Sequence, residues 1–313
     1  MKRATTALLC IAVLGACLEK QGTGGGDVNE ARNALPSADY LKIDVPASQG
    51  KDLGTLSGAY VLTRGVTTIV NGGAAAILIL ARTITLFPPS SIQDGTLIWG
   101  PWDGNALQPS QYRMTATLQS NGDWTWTFEG RRKADGSSAP FRAFLTGIAT
   151  PGHPGRGSGS FTIDFSVAEA LDPVGNAGQG TLAVAYDLES EPKTLTVNWD
   201  NVVNLPQGAT PESVEYRYSE DAHGAGDFQF TAFGDTPDPG PLAETIEMRS
   251  RWNATGAGRG DARIHSGDLN VTVTASECWD ASFLVVYRTD SANWKPTEGD
   301  PAACAFATAA YPQ

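Results

Sequence analysis

Downstream of residue 110 the chain alternates. Tyr112, Met114, Ala116 and Leu118 are separated by Arg113, Thr115 and Thr117, and Trp124, Trp126 and Phe128 by Thr125, Thr127 and Glu129. Phe161, Ile163, Phe165 and Val167 repeat the pattern, as do Leu182, Val184, Tyr186 and Leu188, then Leu195, Val197 and Trp199. Val214, Tyr216 and Tyr218 follow, then Phe228 and Phe230, then Ile246, Met248 and Trp252 opposite Glu247, Arg249 and Arg251. Side chains alternate faces in a strand, so each segment predicts one buried and one wet face. SNGD at 120–123, KADGSS at 133–138, TPGHPGRGSG at 150–159 and DPVGNAGQG at 172–180 are turn signals between them.

Two runs break this rhythm. Residues 74–87 carry one charge, Arg82, and no proline, and Pro88 and Pro89 end the run. Fourteen nearly all-apolar residues predict a helix buried on all sides. A membrane span reaching back to Val66 and a pair of strands are the alternatives. The combination predicts a mainly β fold: a curled antiparallel sheet or barrel of about 11–12 strands wrapped round one buried apolar helix. Gly72-Gly73, just before the run, is a candidate hinge. The second run is residues 7–13, behind Lys2 and Arg3 and ahead of Gly15, Ala16 and Cys17. A basic start, a short apolar core and small residues before a cut site read as a secretory signal peptide, and the run is too short to span a bilayer.

The sequence Leu14-Gly15-Ala16-Cys17 resembles the lipobox of bacterial lipoproteins cut by signal peptidase II. That resemblance implies cleavage after Ala16, acylation of Cys17 with chains such as palmitate, and anchoring in a lipid bilayer. Cys10 is then lost with the signal. Leu18, where an Asp would retain the protein at the inner membrane, implies the outer membrane of a Gram-negative envelope. NGGAAAILILARTITLFPPSSIQDGTLIWGPW, with the later GTLAVAYD, resembles a set of uncharacterised bacterial envelope lipoproteins. The expected helix-in-sheet architecture is similar to that of periplasmic lipoprotein-carrier proteins, by analogy alone.

Residues 17–38, rich in Gly and mixed polar residues, predict a lipidated N-terminus on a flexible tether, with a single β-rich domain over 39–313. Cutting after residue 16 removes Lys2 and Arg3 from 22 basic residues, leaving 20 against 34 acids, a net near −14. An acidic chain without a basic patch argues against nucleic acid as a partner. With Cys10 lost and Cys17 acylated, Cys278 and Cys304 remain, and an oxidising envelope predicts a disulfide between them.

Chemistry is sparse. No G-x-S-x-G, H-E-x-x-H or C-x-x-C occurs, and the nearest serine candidate, GRGSGS at 155–160, sits in an expected hairpin loop. His153, His223 and His265 lie beside glycines in expected loops. EDAHGAGD at 220–227 reads as a hairpin tip, with calcium held by Glu220, Asp221 and Asp227 as the alternative. Arg259-Gly260-Asp261 reads as a turn. GRGSGSFTID at 155–164 is echoed by GRGDARIHSG at 258–267. Trp99, Trp102, Trp124 and Trp126 are candidates to line a sugar- or lipid-binding face, although alternation places Trp124 and Trp126 in the core. Asp164 with Asp200 is a conceivable glycosidase pair. No metal or cofactor is expected. The leading expectation is a non-catalytic lipoprotein that binds an apolar ligand or an envelope protein. A structural or assembly lipoprotein with a filled interior, and an envelope hydrolase, are the alternatives.

Overall fold

The computed structural model describes residues 25–47, 54–103, 108–175, 178–201, 214–234, 236 and 240–311. The expected signal peptide, with Ala16 and Cys17, lies outside them. The fold is mainly β, with fifteen antiparallel strands hydrogen-bonded in chain order as one sheet. Among the described residues the ladder does not close into a barrel. Contacts divide the chain into two compact units. The first holds residues up to 40, 77–189 and 198–213; the second holds 41–76, 190–197 and 214 onward.

In the first unit the strands are β1 (Ser91–Gln93), β2 (Thr96–Trp102), β3 (Ser110–Leu118), β4 (Trp124–Arg132), β5 (Arg142–Thr150), β6 (Ser158–Asp164) and β7 (Thr181–Asp187). Met114, Trp124, Trp126, Phe128, Phe161, Ile163, Val184 and Tyr186 are buried, in the alternation that the sequence predicts, while Leu118 is exposed; Leu97, Trp99 and Leu145 are also buried. Phe165 and Val167 depart from it. They belong to a short helix, Phe165–Leu171, started by the Asp164 carboxylate, which accepts the Val167 N–H at 3.0 Å. The numbering is α1 for Gly25–Ala34, α2 for Ala38–Leu41, α3 for Gly58–Ile84 and α4 for this helix. Helix α1 corrects the tether expectation: Ala31, Ala34 and Leu35 are buried, so ordered packing begins well before Asp39.

The second unit contains β9 (Val214–Glu220), β10 (Gly226–Gly234), β11 (Glu244–Trp252), β12 (Gly258–His265), β13 (Val273–Trp279), β14 (Val285–Asp290) and β15 (Glu298–Gly299). Strand β8 (Lys193–Asp200) contributes to both units. Tyr60, Thr63, Thr67 and Val70 of α3 are buried at helical spacing with Phe228, Phe230, Met248, Trp252 and Trp279. Ser57 starts the helix: its hydroxyl accepts the Tyr60 N–H at 3.2 Å and donates to Glu277, which also accepts the Ala59 N–H at 3.1 Å. A carboxylate at a helix N-terminus suits the dipole. A buried hydrogen bond joins Thr63 Oγ1 to Ser250 Oγ at 2.9 Å.

Helix α3 differs from its expected form. It starts at Gly58 and is 27 residues long, with the Gly72-Gly73 pair inside continuous helix. It is amphipathic rather than buried all round, since Val61 is 49% and Ile79 59% exposed. Among the described residues no helix is long and apolar enough to cross a membrane.

Four hairpins share one loop. In Gln119–Asp123, Asp221–Ala225, Asn253–Ala257 and Asp280–Leu284 the first N–H bonds the fifth carbonyl, at 2.7, 2.9, 3.0 and 3.0 Å. The fourth residue is left-handed in each: Gly122, Gly224, Gly256 and Phe283, at φ of 90°, 84°, 89° and 66°. In the last three loops the leading Asp or Asn side chain caps backbone N–H groups two residues on.

Candidate functional site

The tryptophan group is the natural place to look for a binding face. Trp99, Trp124 and Trp126 are core residues of the first unit. The Trp99 ring centroid is 6.4 Å from Trp126, which is 6.5 Å from Trp124. Trp99 Nε1 donates to the Phe87 carbonyl at 2.9 Å, while Trp126 Nε1 is buried without an acceptor among the described residues. Trp102 stands apart, 37% exposed at the end of β2. Three of the four therefore serve as packing, and Trp126 also lines a small cavity. That cavity is about 30 Å³, between Leu35, Leu78 and Ala81 on one side and Trp126, Phe128 and Phe161 on the other. Ligand pockets run to several hundred Å³. A space of water size cannot take an acyl chain or a sugar without large rearrangement.

The acidic turn is a hairpin tip. Asp221 Oδ1 accepts the N–H groups of His223 and Ala225 at 2.8 and 2.9 Å. Glu220 pairs with Lys193 at 2.7 Å, and Asp227 holds Arg249. The three carboxylates of the calcium alternative are thus committed to separate tasks. Asp164 is likewise spent on the cap of α4. Burial and the Glu220 carboxylate beside its hydroxyl push the Tyr218 phenol well above its ordinary range.

The histidines do not converge. His153 Nδ1 lies 2.7 Å from Glu189 Oε2, whose other oxygen accepts the His153 backbone N–H, also at 2.7 Å. These bonds lower the Glu189 pKa. His223 is in a hairpin loop, and His265 ends β12 beside Ser266 and Glu247.

Arg259-Gly260-Asp261 corrects another expectation: it is not a turn but the middle of β12. Its two charges lie under the C-terminal segment. Asp261, 0% exposed, accepts from Arg259 Nε at 2.7 Å, Ser276 Oγ at 2.7 Å, Arg251 at 2.9 Å and the Ala310 N–H at 2.9 Å. Arg259 donates to the carbonyls of Phe306 and Ala307, and Arg251 to that of Thr308. Gly260 faces the opposite way, where an added Cβ would stand 2.7 Å from Ala59 Cβ on α3. The cage is thus a fastening for the chain's own end. Cys278 and Cys304 join it there, with Sγ atoms 2.10 Å and Cα atoms 5.4 Å apart.

Glu244 is a buried carboxylate that the sequence pattern does not flag. Burial raises its pKa, but the backbone N–H groups of Thr236 and Asp268 together with other donors outweigh this and leave it below the ordinary value. Its bonds tie together two loop segments at one end of β11 and β12.

No family model matches the chain, and neither the curated proteins nor the solved structures contain a match.

Proposed function

We propose that this chain is a lipid-anchored cell-envelope protein, held by acylated Cys17 in the outer membrane, that acts without catalysis by engaging an envelope partner through its surface. The observation that favours partner binding over apolar-ligand carriage is the size of the cavity that Trp126 and Phe128 line. At about 30 Å³, this cavity among the described residues is too small for an acyl chain. The lipobox supports the anchor, and two or more acyl chains give stable attachment. Asp164, Glu220, Asp221 and Asp227 are engaged in caps, pairs and loop bonds, and His153 and His265 lie beside Glu189 and Glu247, which supports a non-catalytic role over an envelope hydrolase.

The test has two parts. Metabolic labelling with a radioactive fatty acid should mark the wild-type chain and not the Cys17→Ser variant, which should leave the membrane fraction. Label on the variant would end the anchor reading. Extraction of purified protein should yield no lipid beyond the Cys17 acyl chains. A further lipid at one per chain would restore the carrier reading.

A further inference from the structure

Leu86 and Phe87, at the end of α3, are 68% and 51% exposed. They do not sit on a loose loop. The Leu86 and Phe87 N–H groups bond Thr83 and Ile84 carbonyls at 3.2 and 3.1 Å, closing the helix. The Phe87 carbonyl receives the buried Trp99 indole, and the Ser90 N–H bonds Ile98 at 2.7 Å. Pro88 and Pro89 stiffen the turn further. Ile92, on edge strand β1, is also exposed, and no charged residue occurs from Thr83 to Gln93. A rigid, uncharged turn that holds large apolar side chains in solvent marks a contact surface.

The path of the chain indicates what covers it. Arg82 donates to the Leu35 carbonyl at 3.0 Å, and Arg32 Nε to the Thr85 carbonyl at 3.0 Å. Helix α1 therefore runs antiparallel to the end of α3. Traced backward from Arg32, it advances in the direction in which α3 ends, about 10 Å by Gly25 at 1.5 Å per residue. Only eight peptide steps separate Gly25 from Cys17, a contour of at most about 28 Å. The anchor is leashed to the same end of this unit as Leu86 and Phe87.

We infer that the Leu86–Phe87 turn inserts into the bilayer leaflet that holds the anchor, as a second contact made by the protein itself. This rests on the anchor reading above. Insertion is driven by the apolar side chains of Leu86 and Phe87, with Arg32 and Arg82 held at neighbouring carbonyls, so it is expected to persist in salt.

The experiment replaces residues 1–17 with a hexahistidine tag and tethers the protein to vesicles of phosphatidylethanolamine, phosphatidylglycerol and a nickel-chelating lipid. The tether stands in for acylation, so the result does not depend on it. Acylation of native Cys17 is scored separately by mass spectrometry. An environment-sensitive nitrobenzoxadiazole dye is placed at Phe87→Cys, and in a second protein at Val174→Cys, a fully exposed site of the same unit. Dye at position 87 should shift to the blue and lose at least half its emission to doxyl-labelled lipid, unchanged in 0.5 M salt, with dye at 174 unaffected. Equal, water-like emission at both positions would overturn the inference. So would a blue shift at 87 without vesicles that follows self-association in sedimentation, which would make a second copy the occupant.

Discussion

Asp261 shows how far a single residue's surroundings can depart from its local sequence. Between Arg259 and Ala262 it reads as surface, yet it is fully buried and carries four hydrogen bonds. Removing one member of a buried ion pair leaves the other charge without compensation, at a cost of about 3–5 kcal/mol. Asp261→Ala is therefore expected to lower stability by that amount in urea unfolding. Asp227→Ala breaks a half-exposed pair with Arg249 and should cost less than about 1 kcal/mol. Equal losses at the two positions would show that the cage does not behave as buried. No short pattern announces Asp261, because its burial depends on residues 306–310 folding back nearly fifty positions later.

At the scale of elements, alternation made β3, β4, β7 and β11 legible, while β5 and β12 were hidden. The reason lies in cross-strand pairing. Gly147 is opposite Trp126, Gly159 opposite Tyr186, Gly226 opposite Trp252, and Gly258 opposite Trp279. An added Cβ at Gly226 or Gly258 would meet the indole at 2.3 or 2.4 Å. The neighbour's ring supplies the apolar surface, so the glycine strand loses its own hydrophobic signal. The hairpin loops were partly readable: DAHGAG at 221–226 and NATGAG at 253–258 are the same loop written twice. Gly224 tests its backbone requirement cleanly, since a Cβ there would meet nothing within 4 Å while φ is 84°. Gly224→Ala is expected to cost about 1–2 kcal/mol from conformation alone, read as a lower thermal midpoint. Unchanged stability would mean the loop accepts another backbone shape. Phe283 takes the same conformation with a large side chain, and its ring stacks on Tyr60 at 4.4 Å.

Across the whole molecule, bonds join early and late parts of the chain, such as Ser57 to Glu277 and Thr63 to Ser250, and others fasten residues 304–310 to the strands before them. The disulfide spans a separation of 26 residues and fixes the start of the segment that covers the Asp261 cage. Closing a loop of that size is worth about 3 kcal/mol in the chain-entropy model. Cys304→Ser should lose about that much in denaturant unfolding. It should also speed amide exchange at Ala310, whose N–H is held by Asp261. Protection at Ala310 that survives the substitution would show that the arginine and aspartate contacts hold the segment without the cystine.

The sequence by itself determined the β class, most strand faces of the core, the cysteine pairing and a helix ahead of Pro88, because period, turn residues and cysteine count are local or countable quantities. It also carries Leu14-Gly15-Ala16-Cys17, and the proposed envelope anchor rests on the resemblance of that stretch to a lipobox. Only the tertiary structure decided that α3 shows one face to solvent, that residues 25–35 pack rather than trail, and that three of the four candidate tryptophans fill the core. The same holds for the buried Arg259–Asp261 pair. These outcomes depend on which surfaces meet across long sequence separations. A run of Ala, Ile and Leu has the same composition whether it is covered on every side or on one, and a charged residue is buried only when distant donors arrive to satisfy it.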